Sequence, residues 1–298
     1  MHKYMRAIGF SQYTDRKKLK ELIKSVVLKA DYREYTINDE DVMLGEFCKN
    51  FTDELGISVC GEFDEDDKFS YEYYFPFILG RGITTSEDVS VERHSYRESY
   101  AGVCDDVTVG LTLIFYLQNM IPYVKGKVGG KLPIRGTSVT LSALSVEGMI
   151  MLPIQKDEFQ KRQVRKNSDN RSKLLAAARQ GDEDAIETLT MEDMDMYTTI
   201  SKKIQKEDVF SIVDTYFMPS GVECDQYSVL GEIIEIKQVV NPITKEEIFI
   251  LTICSNELTF DVGINKIDLL GEPQVGRRFK GNIWLQGYIN FPEEFALY

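Results

Sequence analysis

Apolar and polar residues alternate along this chain with a period that changes three times. Near the start, Leu19, Leu22, Ile23, Val26 and Val27 recur at helical spacing, while Lys17, Lys18, Lys20 and Lys24 fall largely outside that stripe. The segment predicts a core-facing helix that opens at Thr14 or Asp15, both good N-caps. From residue 55 the period drops to two. Leu55, Ile57, Val59 and Phe63 alternate with Ser58, Cys60 and Glu62, an acidic turn follows at 64–67, and Phe69, Tyr71, Tyr73, Phe75 and Phe77 predict one aromatic face on the returning strand. Further strands are expected over 89–100, 107–117, 138–145 and 149–154, the last two joined by a turn around Glu147 and Gly148. Connections this short imply antiparallel pairing.

Beyond Pro153 the β pattern stops. A polar, basic stretch leads into the helix former SKLLAAARQ, which ends at Gly181; a second helix is expected from Asp182 and a third from Thr190, whose partner Asp193 imitates a capping box. The stretch EDVFSIVDTYF reads equally as helix or strand. Strands return near 227–240, 247–254, 258–264 and 278–291, with the longest connection before the last. The pattern predicts an α+β protein in three parts: an antiparallel α+β domain over 1–156 with its helix on the sheet, a charged helical connector over 157–206, and a small β-barrel-like, OB-like domain over 207–298.

Composition narrows the function classes. The 298 residues are 43% hydrophobic and 28% charged, as in globular proteins, and the formal charge of −13 argues against a surface devoted to nucleic acid or anionic lipid. Five scattered cysteines without a C-x-x-C pair suit a reducing compartment, and with two histidines they give no zinc-site spacing. There is no apolar leader, and VGLTLIFYLQNMIPYV is too short and too interrupted to span a bilayer. A cytoplasmic setting is expected, with no membrane, cofactor or metal.

Two stretches carry the sharpest chemistry. The Gly/Lys loop VKGKVGGKLPIRG sets Lys125, Lys127, Lys131 and Arg135 beside Gly129 and Gly130, and such backbone can offer N–H groups to an anion. Its glycine spacing is not that of a P-loop, and a basic surface loop is the simpler account. A second basic run over 161–173 extends that patch only if the fold brings the two together. The strand over 278–291 puts Trp284, Gln286 and Tyr288 on one face, opposite the core positions Phe279, Ile283, Leu285 and Ile289. That face suits a bound ring or partner, or a second layer of the protein packed over it, and packing is the stronger expectation. His94 shares a strand face with Glu92, Tyr96, Glu98 and Tyr100, but no nucleophile motif accompanies it, so no catalytic residue is assigned.

The runs MHKYMRAIGF, ISKKIQKEDVFSIVDTYFMPSGVECDQYSVLGEI and FKGNIWLQGYINF together resemble a family of bacterial proteins classed only as a domain of unknown function. The resemblance extends over the whole chain and implies an intracellular bacterial protein, with no activity or site residue to carry over. The expected function is that of a non-enzymatic binding or regulatory protein working through protein–protein contact. An anion or nucleic-acid binder using the Gly/Lys loop is the alternative, and an enzyme of unrecognised class the third.

Overall fold

The computed structural model describes residues 2–87, 89–93, 99–106, 111–130, 136–154, 170–171, 173–178, 180–204 and 209–292. It opens with a 3-10 turn, Lys3–Ile8, closed by Gly9 at φ 88°, a left-handed conformation suited to glycine. Tyr4, Met5, Ala7, Ile8 and Phe10 are all buried. Helix α1 (Arg16–Leu28) follows as its stripe predicts: the Asp15 side chain accepts from the Lys17 N–H, and Leu22, Ile23 and Val26 face the core.

Four strands form an antiparallel sheet in chain order: β1 (Tyr32–Ile37), β2 (Met43–Asn50), β3 (Leu55–Phe63) and β4 (Phe69–Ile78). The expected aromatic face of β4 is split. Cys60 pairs with Tyr73 and Gly61 with Tyr71, so Glu72 is an extra residue in a β-bulge. Beyond it Phe69 joins Tyr35, Phe47 and Phe63 on one face, while Phe75 meets Tyr116 on the other. A Cβ on Gly61 would lie 2.1 Å from the Ser70 carbonyl oxygen, which is why glycine stands opposite the bulge.

The expected strand over 89–100 is two strands, β5 (Val89–Arg93) and β6 (Tyr100–Asp106), paired antiparallel; β6 pairs antiparallel in turn with β7 (Leu111–Leu117). The Gly/Lys segment is not a loop at its start. Residues Met120–Val128 form helix α2, with Gly129 at its C-cap. Pro122 sits in the first turn, where its missing N–H costs nothing, and Met120, Ile121 and Val124 are buried. The two strands expected over 138–154 are one, β8 (Ser138–Met151). Gly148 pairs with Gly281 and Ser145 with Ile283, so Val146 and Glu147 oppose Asn282 alone. The residues expected to turn the chain form a bulge instead.

In the connector, the two helices expected from Asp182 and Thr190 are a single helix, α3 (Glu183–Ile204). The Asp182 carboxylate accepts from the Ala185 N–H, and the Thr190 hydroxyl donates back to the Ile186 carbonyl rather than capping a new start. The ambiguous stretch contains both readings, a helical turn α4 (Val209–Ile212) and strand β9 (Tyr216–Pro219).

Strands β10 (Gln226–Val240), β11 (Glu247–Ser255) and β12 (Leu258–Asn265) form a meander; β13 (Leu269–Leu270) and β14 (Arg278–Asn290) follow. The neighbour order β8-β12-β11-β10-β14 closes on itself through the β14–β8 pairing, giving a five-stranded barrel beside the antiparallel sheet. The barrel thus takes β8 from the first half of the chain. β14 pairs with β10 over its first half, then with β7 through Gln286 and Gly287. The N-terminal turn packs against β8 and β12 of the barrel and against β4, and one apolar core runs through all of these elements. Arg278 fixes where the connector joins: its guanidinium donates to the carbonyls of Leu152, Phe210, Val213 and Asp214.

Candidate functional site

Cross-strand register places two polar rows side by side on one face of the four-stranded sheet. Tyr32, Cys48, Ser58 and Phe75 pair in succession across β1 to β4, and Glu34, Glu46, Cys60 and Tyr73 form the next row. Opposite this face lie Gln118 and Asn119, between β7 and α2, and Tyr288 near the end of β14. Together they enclose a cleft of about 320 Å³, at the small end of ligand pockets, which run from about 300 to about 1,000 Å³.

Glu46 is the unusual group. Its residue is 5% exposed, and among the described residues its carboxyl bonds only to a thiol and a hydroxyl, with no basic partner. Oε1 accepts from the Ser58 hydroxyl at 2.6 Å and from the Cys48 thiol at 3.7 Å. Oε2 has no hydrogen-bond partner among the described residues. Burial, reinforced by the nearby Glu34 charge and opposed by the Ser58 hydrogen bond, pushes the Glu46 carboxyl up to about 7. A second acceptor is also unused. Gln118 donates through Nε2 to the Ile78 carbonyl and to Gln286 Oε1, both at 2.9 Å, while its own Oε1 is buried and unpartnered among the described residues. Glu34 and Asp53 add two more carboxyls to the lining, and Tyr32, Phe75, Phe77 and Tyr288 supply aromatic walls. Among the described residues, no Lys, Arg or His lines the cleft. No group of three His, Cys, Asp or Glu side chains able to hold a metal occurs among the described residues.

A family model described as "Domain of unknown function, E. rectale Gene description (DUF3881)" matches residues 5–287. The chain belongs to this family. No curated protein and no solved structure matches it. The DUF3881 match spans both polar rows, the barrel as far as Gly287 of β14 and the N-terminal turn from Met5 onward.

Within this DUF3881 fold the strand face of Trp284, Gln286 and Tyr288 is divided. Trp284 is buried, stacked on Tyr4 with ring centres 5.2 Å apart, and its indole N–H donates to Asp225 at 2.7 Å. His2 and Tyr116 complete that aromatic cluster, and burial lowers His2 to about 4. Gln286 is fully enclosed: its amide donates to the Pro76 carbonyl, and its oxygen accepts from the Ile78 N–H and from Gln118. Tyr288 alone remains accessible, at the cleft.

The Gly/Lys residues lie elsewhere. Lys125 and Lys127 are exposed on the last turns of α2, Lys127 paired with Asp39, and Gly129 and Gly130 follow the helix, Gly130 at φ 66°. Lys131 and Arg135 lie outside the described residues, as do His94 and residues 161–169 of the second basic run. Arg171, from that run, lies 3.9 Å from Glu192 of α3. Among the described residues, no helix is long and apolar enough to cross a membrane.

The cleft residues were not singled out by sequence because β1 and β2 carry weak alternation. β1 is almost wholly exposed, and an acid in β2 at Glu46 looks like an ordinary solvent-facing position. The available signal was Leu44, Glu46 and Cys48 alternating with Gly45 and Phe47.

Proposed function

We propose that this protein is a non-enzymatic binding protein that holds a small organic ligand in the cleft between the four-stranded sheet and β14. The observation that carries this is Glu46, a buried carboxyl with one oxygen unpaired at the wall of an enclosed space. Burial raises the proton affinity of this carboxyl, and a perturbed group on the wall of a cleft is of the kind that binding sites retain for function. The protein–protein contact expected from sequence rested on the Trp284 face, and Trp284 and Gln286 spend their polar groups inside the chain. A partner protein would then respond to the liganded state of the cleft rather than read that face. In the same proposal the barrel is of the OB type. β10, β11 and β12 take the places of its first three strands, β14 its fourth, and β8, earlier in the chain, its fifth. The five free cysteines fit a cytoplasmic setting.

The test is a fragment screen by ligand-detected NMR on the full chain, repeated on Leu79→Trp. Leu79 lies at the cleft and is partly exposed, so the larger ring obstructs the space without entering the core. The expected result is a set of binders lost in Leu79→Trp at unchanged melting temperature. Binders that ignore the substitution, or turnover of a bound compound, would overturn the proposal.

A further inference from the structure

The cleft's unused groups specify what fits it. Its acceptors outnumber its donors: Glu46 spends only Oε1 on hydrogen bonds and Gln118 Oε1 lacks a partner among the described residues, whereas the Ser58 hydroxyl is spent on Glu46 and the Asn119 amide is spent on the Ile289 backbone. An anion entering here would meet three carboxyls and, among the described residues, no base. A neutral apolar molecule would bury Glu46 further without pairing it, at a cost that rises as water leaves. A cation with N–H donors satisfies Glu46, gains from Glu34 and Asp53, and finds aromatic faces on which a charged group is itself stabilised.

Resting on the cleft reading above, we propose that the ligand is a small organic cation, a protonated amine or amidine with an apolar or aromatic body. Its N–H groups bond Glu46, and its body lies along Phe75 and Phe77. Binding is then linked to protons. In the empty cleft Glu46 is protonated about half the time near neutrality, and a bound cation favours the ionised form, so a proton leaves as the ligand enters. The groups facing Glu46 from each element are Glu34 of β1, Cys48 of β2, Cys60 of β3, Tyr73 of β4, Tyr116 of β7 and Tyr288 of β14, with Asp53 on the turn between β2 and β3. Burial raises the two thiols and all three phenols, which keeps them neutral between pH 6 and 8. Affinity for the cation therefore strengthens from pH 6 to pH 8 through Glu46.

Three probes of one shape decide it: benzylamine, benzyl alcohol and benzoate, titrated against the full chain by saturation-transfer NMR at pH 6 and pH 8. The expected result is benzylamine binding at least tenfold tighter than either analogue at pH 8, and several-fold weaker at pH 6. Glu46→Gln, which keeps the Ser58 acceptor, loses that preference at unchanged or higher melting temperature. Benzyl alcohol or benzoate binding as tightly as benzylamine, at a site that Leu79→Trp abolishes, overturns the cation assignment and leaves the cleft standing. No binding of any probe that Leu79→Trp removes overturns both. If Glu46→Gln fails to fold, the wild-type pH dependence decides: affinity for benzylamine equal at pH 6 and pH 8 overturns the assignment.

Discussion

The two mixed faces of this molecule, the Trp284–Gln286 seam and the Glu46 cleft, look alike as patterns and differ in how their polar atoms are used. Each alternates aromatic and polar side chains along strands, and each is buried by a neighbouring layer. In the seam the polar groups of Trp284 and Gln286 are paired: Trp284 with Asp225, and Gln286 with β4 backbone on one side and Gln118 on the other. In the cleft, Glu46 makes its hydrogen bonds through Oε1 and leaves Oε2 to the open volume, and Gln118 keeps its buried carbonyl unpartnered among the described residues. A satisfied polar group fastens layers together, and an unsatisfied one beside an open volume points to something that is meant to arrive. The seam should therefore yield stability when cut, and the cleft should yield binding.

The largest expected effect is in the seam. Gln286→Ala leaves the Ile78 N–H and the Pro76 carbonyl buried without partners, and should cost about 3 kcal/mol in urea unfolding. A loss below about 1 kcal/mol would break the contrast from that side. The cleft should behave in the opposite sense. Glu46 titrates near 7 in the folded chain against 4.5 for an ordinary carboxyl, so its protonated form favours folding. That contribution is complete below about pH 4.5 and is lost as pH rises through about 7, a change on the order of 3 kcal/mol. Glu46→Gln should remove this slope, making the variant at least as stable as wild type at pH 8 and the difference smaller at pH 5. A variant less stable at both pH values would make Glu46 a structural group like Gln286. The smallest effect belongs to the Gly/Lys segment: Lys127→Ala breaks an exposed pair with Asp39 and should change stability by less than about 0.5 kcal/mol.

What sequence could and could not disclose follows from where each element takes its instructions. α1 was legible because its apolar stripe matches its burial, and β14 because its residues alternate in type, although a second layer buries both of its faces from Ile283 to Gly287. α2 was hidden by Pro122 and the glycines, although Met120, Ile121 and Val124 hold helical spacing around them. The bulges at Glu72 and at Val146–Glu147 are set by residues on other strands, Gly61 across the hairpin and Asn282 far along the chain, so the bulged strand's own pattern does not announce them. Barrel closure is illegible for the same reason. β8 reads as two more strands of the first half, and only its pairing with β12 and β14 makes it one stave of the barrel. The cleft depends on register across four strands, two of them without apolar alternation. Glu46 there is indistinguishable in sequence from a solvated acid.

The central claim is that Glu46 carries an open, titrating carboxyl that a cation can ionise. Its side-chain carboxyl carbon, assigned by its absence in Glu46→Gln, can be followed by 13C NMR from pH 4 to pH 9 with and without benzylamine. The account predicts a midpoint near 7 in the free protein, moving to lower pH when benzylamine is bound. A midpoint near that of an ordinary carboxyl, unmoved by the amine, would contradict it.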